Sequence, residues 1–173
     1  MIFFVSLHHD MHMEQEEQIK RIEAFIDTII KGELKQIIES NALYMKFVLI
    51  GQTIEVLGAL LDNKPMKAKG QSARRFNHAI NSLFGGDYRV QNSDYYLYDK
   101  LRNQMTHSFI PGGDIELYSH ASDTDKKHMK RDNGVLVMVA DEFFRDIVAA
   151  SNRLLYLIRV GKIKAKNIAF DYE

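Results

Sequence analysis

Phe47-Val48-Leu49-Ile50-Gly51-Gln52-Thr53-Ile54-Glu55-Val56-Leu57-Gly58-Ala59-Leu60-Leu61 is the most apolar stretch of the chain, and its reading decides the fold. A membrane-spanning helix needs about 20 consecutive apolar residues. This run falls short of that and carries Gln52 and Glu55 inside it, so it reads as a helix buried in a protein core. Working upstream, the pattern extends the helix back to Glu33, with Leu34, Ile37, Ile38, Met45, Val48, Leu49 and Leu60 as buried candidates. Downstream, Asp62-Asn63-Lys64-Pro65 ends it, because a proline disfavours helical geometry in the residue before it.

Other helices arrange themselves around that one. From Met13 to about Ile30, Ile19, Ile22, Phe25, Ile26, Ile29 and Ile30 fall at the three-and-four spacing of an amphipathic helix, which Gly32 is expected to break. Ser72 is the expected N-cap of a third helix carrying Phe76, Ala79, Ile80, Leu83 and Phe84, ended by Gly85-Gly86. Ser93-Asp94 is expected to open a fourth, running through Thr106 and stopping before Pro111-Gly112-Gly113. The period then changes. Ile115 and Leu117 alternate with Glu116 and Tyr118, and Val135 to Val139 is a β-branched run behind Asp132-Asn133-Gly134, a strong turn signal. These predict a small hairpin inserted at about 114–140. Asp141 is the expected cap of a last helix through Phe144, Ile147, Val148, Leu154, Leu155 and Ile158; the tail from Gly161 carries no clear pattern. The fold expected is mainly α, a four- to five-helix up-and-down bundle with a small inserted β-hairpin, in one domain over residues 1–173.

Composition narrows the function classes. The chain holds no cysteine, which excludes disulfides, thiolate metal sites and a cysteine nucleophile and fits a reducing compartment. Met1-Ile2-Phe3-Phe4-Val5-Ser6-Leu7 is too short an apolar run for a signal peptide, so a cytoplasmic protein without a membrane segment is expected. Formal net charge is zero, which gives no bulk electrostatic reason to bind nucleic acid. Basic residues nevertheless cluster at Lys64, Lys67, Lys69, Arg74 and Arg75, at Lys126, Lys127, Lys130 and Arg131, and at Arg159, Lys162, Lys164 and Lys166. Brought together they would track phosphates; apart, each is a solvated face.

The fourth helix carries the chemistry. At about 100° per residue, Leu97, Leu101 and Met105 face the core. Asp99, Asn103 and His107 form a polar row on the far side, with Arg102 at the edge of the apolar stripe. Arg102 and His107 are five apart, about 140° on an ideal helix, so they converge only through the length of the arginine, through unwinding of the helix near Pro111, or through a second copy of the chain. Glu55, inside an apolar helix, either takes a partner, Arg102 being the candidate, or lies exposed. Tyr95, Tyr96 and Tyr98 either stack on bases or fill a helix interface. His8, His9, Asp10 and His12 offer metal-ligand types without a further histidine or carboxylate arranged around them. No metal and no cofactor is expected.

Leu101-Arg102-Asn103-Gln104-Met105-Thr106-His107 resembles the motif of HEPN domains, an arginine followed by a polar residue, often asparagine, with histidine four to six positions after the arginine. The tyrosine-rich helix start and the helical chain of this size agree with that family. The resemblance implies metal-independent RNA cleavage in catalytic members, often toxins or defence ribonucleases, and a homodimer that brings two motifs to one cleft. It implies Arg102, Asn103 and His107 as catalytic residues, with Asp99, Tyr98 and Thr106 contacting an RNA or nucleotide substrate. It also implies an antitoxin or nucleotidyltransferase partner, or, in members without catalysis, a nucleotide- or protein-binding module. One toxin subgroup has a tyrosine two positions after the histidine; Phe109 stands there in this chain.

Overall fold

The computed structural model describes residues 2–170, with side chains described from Met13 onward. It is mainly helical with a small sheet: α1 (Ile2–Phe25), a π-helical stretch (Ile26–Leu34), α2 (Lys35–Glu39), α3 (Leu43–Leu61), α4 (Ser72–Leu83), α5 (Gly86–Gln91), a second π-helical stretch (Tyr98–Gln104), α6 (Met105–Ser108), β1 (Ile115–Tyr118), β2 (Arg131–Asp132), β3 (Val135–Val139) and α7 (Ala140–Arg159). The His8, His9, Asp10 and His12 side chains fall outside the described residues.

α3 is the central helix, with α2, α4, α7 and the second π-helical stretch packed on it. By length and apolar composition it is the one helix among the described residues that would cross a membrane. It instead buries Phe47, Ile50, Ile54 and Leu57 completely among its neighbours and forms the core, but it starts at Leu43 rather than Glu33, and Met45, expected to be buried, is 41% exposed because the face of that first turn is taken by Lys46. Two glycines set how closely the neighbours approach. A Cβ on Gly51 would lie 2.6 Å from the Leu101 carbonyl oxygen, and one on Gly58 would lie 1.9 Å from that of Arg75. Both helices therefore rest their backbones directly on α3.

Gly32 does not break the first helix. The chain stays helical to Glu39 and bends only at Ser40, whose backbone is extended and whose hydroxyl both donates to the Ile37 carbonyl (2.7 Å) and accepts from the Ala42 amide (3.2 Å). The reason lies in the buried positions Ile22, Ile26, Ile30, Leu34 and Ile38, a strict four-residue repeat. On an α-helix such a repeat drifts by about 40° per step and would leave the core. A π-helical stretch, wound wider because its hydrogen bonds run from i to i+5, turns the stripe back, and Gly32 lies within it. The same device recurs where Leu97, Leu101 and Met105, all fully buried, flank or occupy the second π-helical stretch.

Other expectations shift locally. Ser72 is the first residue of α4 rather than its cap, its hydroxyl being committed to Glu55. Gly85 precedes a further short helix, α5, that has no clear sequence period. Ser93-Asp94 opens a tight turn with Asp94 (φ 51°) and Tyr95 (φ 61°) left-handed, and the regular helix starts at Tyr96. Asp141 sits inside the first turn of α7 and does not cap it; its carboxylate accepts from the Ala121 amide at 3.2 Å.

The insertion is a three-stranded mixed sheet in the order β1-β3-β2. The Asn133-Gly134 turn (φ 49° and 85°) makes the expected tight hairpin, but between β2 and β3, with Asp132 opposite Val135. β1 and β3 run parallel, Ile115 opposite Leu136 and Leu117 opposite Met138, rather than as the two arms of one hairpin. Parallel neighbours need a long crossover, which the chain between residues 118 and 131 supplies. Fully buried Lys46 of α3 donates to the Ser119 hydroxyl at 3.0 Å and ties this crossover to the core.

Candidate functional site

Glu55 stands between Gly51 and Gly58 on α3, where two neighbouring helices come closest. One carboxylate oxygen accepts from the Ser72 hydroxyl of α4 (2.9 Å), the other from Arg102 Nε (2.5 Å). Arg102 also reaches the Thr106 hydroxyl through Nη1 at 3.4 Å. Of the two charged side chains, Arg102 is 20% and Glu55 18% exposed. The pair is thus sheltered but not fully enclosed, and of the guanidinium nitrogens Nη2 alone makes no hydrogen bond among the described residues.

The π winding shapes the polar row. Asp99 Oδ1 accepts from Asn103 Nδ2 at 3.0 Å, four residues on, and Asp99 Oδ2 accepts from Gln104 Nε2 at 2.6 Å, five residues on. A five-residue contact is what i to i+5 winding produces. Gln104 was not picked out from the sequence, although its spacing from Asp99 is the signal. His107 remains helical, is exposed, and has no hydrogen-bond or ion partner among the described residues. The helix does not unwind at His107; it ends after Ser108 with Phe109 in a left-handed conformation (φ 57°). Within one chain, Arg102 and His107 therefore make no mutual contact. Tyr98 packs its ring edge-on to Phe76 (5.7 Å between centroids) and serves the core boundary.

The basic clusters do not merge into one phosphate track. The first and third meet, but around a carboxylate. Asp62 at the end of α3 accepts from Arg75 (2.7 Å), Lys166 (2.8 Å) and the Lys64 amide (2.9 Å). Lys166 also donates to the Ala59 carbonyl that α3 leaves open at its end. In the second cluster, Lys126 pairs with Glu116 and Asp132, and Lys130 with Asp87.

A buried polar chain escaped the sequence reading entirely. The Val139 amide donates to His128 Nδ1 (2.9 Å), so the proton of the neutral ring sits on Nε2 and faces the Tyr88 hydroxyl (2.9 Å). Tyr88 in turn donates to Asp146 Oδ2 (2.6 Å). Burial pushes His128 down to about 4, Arg145 adding to this and Asp141 opposing it. Burial, then the charge of Asp146, raises the Tyr88 hydroxyl well above its usual range. With Phe84 and Phe143 packed around it, this chain fastens the crossover to α5 and α7.

Compared with protein-family models, curated proteins and solved structures, the chain matches none.

Proposed function

We propose that the chain is a HEPN-like, metal-independent endoribonuclease acting as a cytoplasmic homodimer, of the toxin or defence kind, with an antitoxin or nucleotidyltransferase as partner. The observation that carries this reading is the state of the motif helix. Arg102 is braced from behind by Glu55 and Thr106, while His107, four residues beyond the Asp99-bound Asn103, is exposed and uncommitted. A neutral imidazole can take the proton of a ribose 2′-hydroxyl as that oxygen attacks the adjacent phosphorus. A guanidinium offers paired donors to the phosphate as its negative charge grows. The 5′-oxygen leaves and takes up a proton, giving a 2′,3′-cyclic phosphate and a 5′-hydroxyl. No step requires a metal.

The second copy supplies what one chain lacks. Tyr44, Met45, Phe109 and Ile110 are 41–67% exposed and line one apolar groove of about 690 Å³, beginning two residues after His107. A two-fold axis through that patch would cover it and bring the two His107–Arg102 sets towards each other. One observation favours the alternative, a non-catalytic module binding a nucleotide or protein: the Arg102 charge is already met by Glu55.

The test is cleavage of mixed RNA in EDTA by wild type, His107→Ala and Arg102→Ala. The expected result is cyclic-phosphate ends with wild type and a loss of about a hundredfold or more in each variant. Absence of cleavage in all three overturns the ribonuclease reading and favours the binding module.

A further inference from the structure

At the N-terminal end of the polar row lies an open cleft of about 580 Å³, lined by Gln91, Ser93, Asp94, Tyr96, Asp99 and Arg131. Its size is that of a small-molecule site. Three features show that it is organised. The Arg131 guanidinium lies 4.8 Å from the centroid of the Tyr96 ring and donates from Nε to Gln91 (3.1 Å) and from Nη1 to the Gly134 carbonyl (2.7 Å). No carboxylate forms an ion pair with it among the described residues, so the cleft holds an exposed flat cation anchored by two hydrogen bonds.

The second feature is Asp94. It and Tyr95 are successive non-glycine residues in the left-handed region, a conformation costing about 1–2 kcal/mol per residue. Asn92, buried, enforces it: its side chain donates to Asn77 (3.0 Å) and accepts from the Tyr98 amide (3.3 Å), and its carbonyl accepts from the Tyr95 amide (3.2 Å). The strained turn presents to the cleft an exposed carboxylate with no partner among the described residues. The third feature is Asp99, which lines the cleft while holding Asn103 and Gln104 and so joins it to the motif.

We propose that this cleft is a guanine-binding subsite, the base stacking on Arg131 and donating N1–H and N2–H to Asp94. The chemistry selects this ligand. Two carboxylates repel a phosphate, whereas a guanidinium plane offers a face to a nucleobase. Guanine places two N–H donors side by side, matching both oxygens of one carboxylate. Adenine and cytosine set an acceptor beside their amino group, and uracil flanks its N–H with two carbonyls. Where the base belongs to an RNA strand, the subsite rests on the ribonuclease reading. Asp99 and His107 are then separated along the helix by on the order of 10 Å, within a nucleotide or two of the scissile bond.

The experiment is calorimetric titration of the full chain with GMP, AMP, CMP, UMP and IMP, which lacks the 2-amino group. Wild type, Asp94→Asn, Arg131→Ala and His107→Ala are compared. Asparagine tolerates the left-handed conformation, so Asp94→Asn keeps the turn, and its thermal unfolding checks the fold. The expected result is GMP bound about tenfold or more tighter than AMP, CMP, UMP or IMP. Asp94→Asn should lose that margin, Arg131→Ala should weaken all five nucleotides, and His107→Ala should keep the margin. Equal affinities for all five, no saturable GMP binding, or full GMP affinity in Asp94→Asn overturns the subsite. RNA cleavage together with flat nucleotide binding overturns the subsite alone; selective GMP binding without RNA cleavage overturns the ribonuclease reading alone.

Discussion

Asp62 and His128 show how single residues hold distant segments. Burial alone would raise the Asp62 carboxyl, but hydrogen bonds from Arg75, Lys166 and the Lys64 amide outweigh it and hold the group at about 2. Its contribution is therefore complete above the ordinary carboxyl value and is lost as pH falls through about 2. Asp62→Ala strands Arg75, which is 4% exposed, and Lys166, and should cost about 3–5 kcal/mol in urea unfolding. His128 acts at milder pH. Its folded value of about 4 lies below the ordinary 6.5, so below pH 6.5 the unfolded chain binds a proton that the folded chain refuses. The His128 contribution should lower stability between pH 6.5 and 4, by about 3 kcal/mol, and itself change no further below, where the loss of the Asp62 contribution takes over. Urea titrations across that range should show the slope in wild type and its loss in His128→Phe. Neither residue announces itself in the sequence. Tyr88 and Asp146 lie 58 positions apart, and no local pattern links them.

Among the elements, the glycines of α3 and the two π-helical stretches decide how the site is assembled. Gly58→Ala would drive a methyl group into the Arg75 carbonyl, so α4 must move away from α3 and take Ser72 from Glu55. The expected loss is several kcal/mol, at the upper end of overpacking effects of about 1–3 kcal/mol or beyond. Gly85→Ala, where an added Cβ meets nothing within 4 Å, should lie within about 0.5 kcal/mol of wild type. Thermal unfolding of the two variants checks the contrast. Elements with strong periods were legible in the sequence: α3, α4, α7, the motif helix and the Asn133-Gly134 turn all follow from it. The π winding was legible only in retrospect, in the four-residue repeats Ile22-Ile26-Ile30-Leu34-Ile38 and Leu97-Leu101-Met105. Strand alternation showed β1 and β3 but not their direction, since alternation specifies a face and leaves the neighbour open.

Across the whole molecule, the apolar groove beside His107 is the face on which the proposed dimer would form. Phe109→Asp with Ile110→Asp places charges on residues that are 51% and 67% exposed, so folding should be unaffected while self-association is lost. Sedimentation should show a dimer for wild type and a monomer for the double variant, with RNA cleavage falling in parallel. A monomeric wild type that cleaves RNA would rule out the shared cleft.

By itself the sequence determined the helical class, the central helix and most of the buried positions, Met45 excepted, because burial of apolar surface is non-directional and needs only the right period. It also placed Arg102, Asn103 and His107 on one helix and offered Arg102 as the counter-ion of Glu55. Tertiary structure alone decided that Ser72 shares that carboxylate, that Asp62 gathers two basic clusters, that Arg131 lies on Tyr96, and that Arg102 and His107 stay apart within one chain. The first two rest on hydrogen bonds that form only within about 3 Å and at narrow angles, and the third on a cation that must lie over one ring face. Such distances between remote segments exist only once the helices have docked.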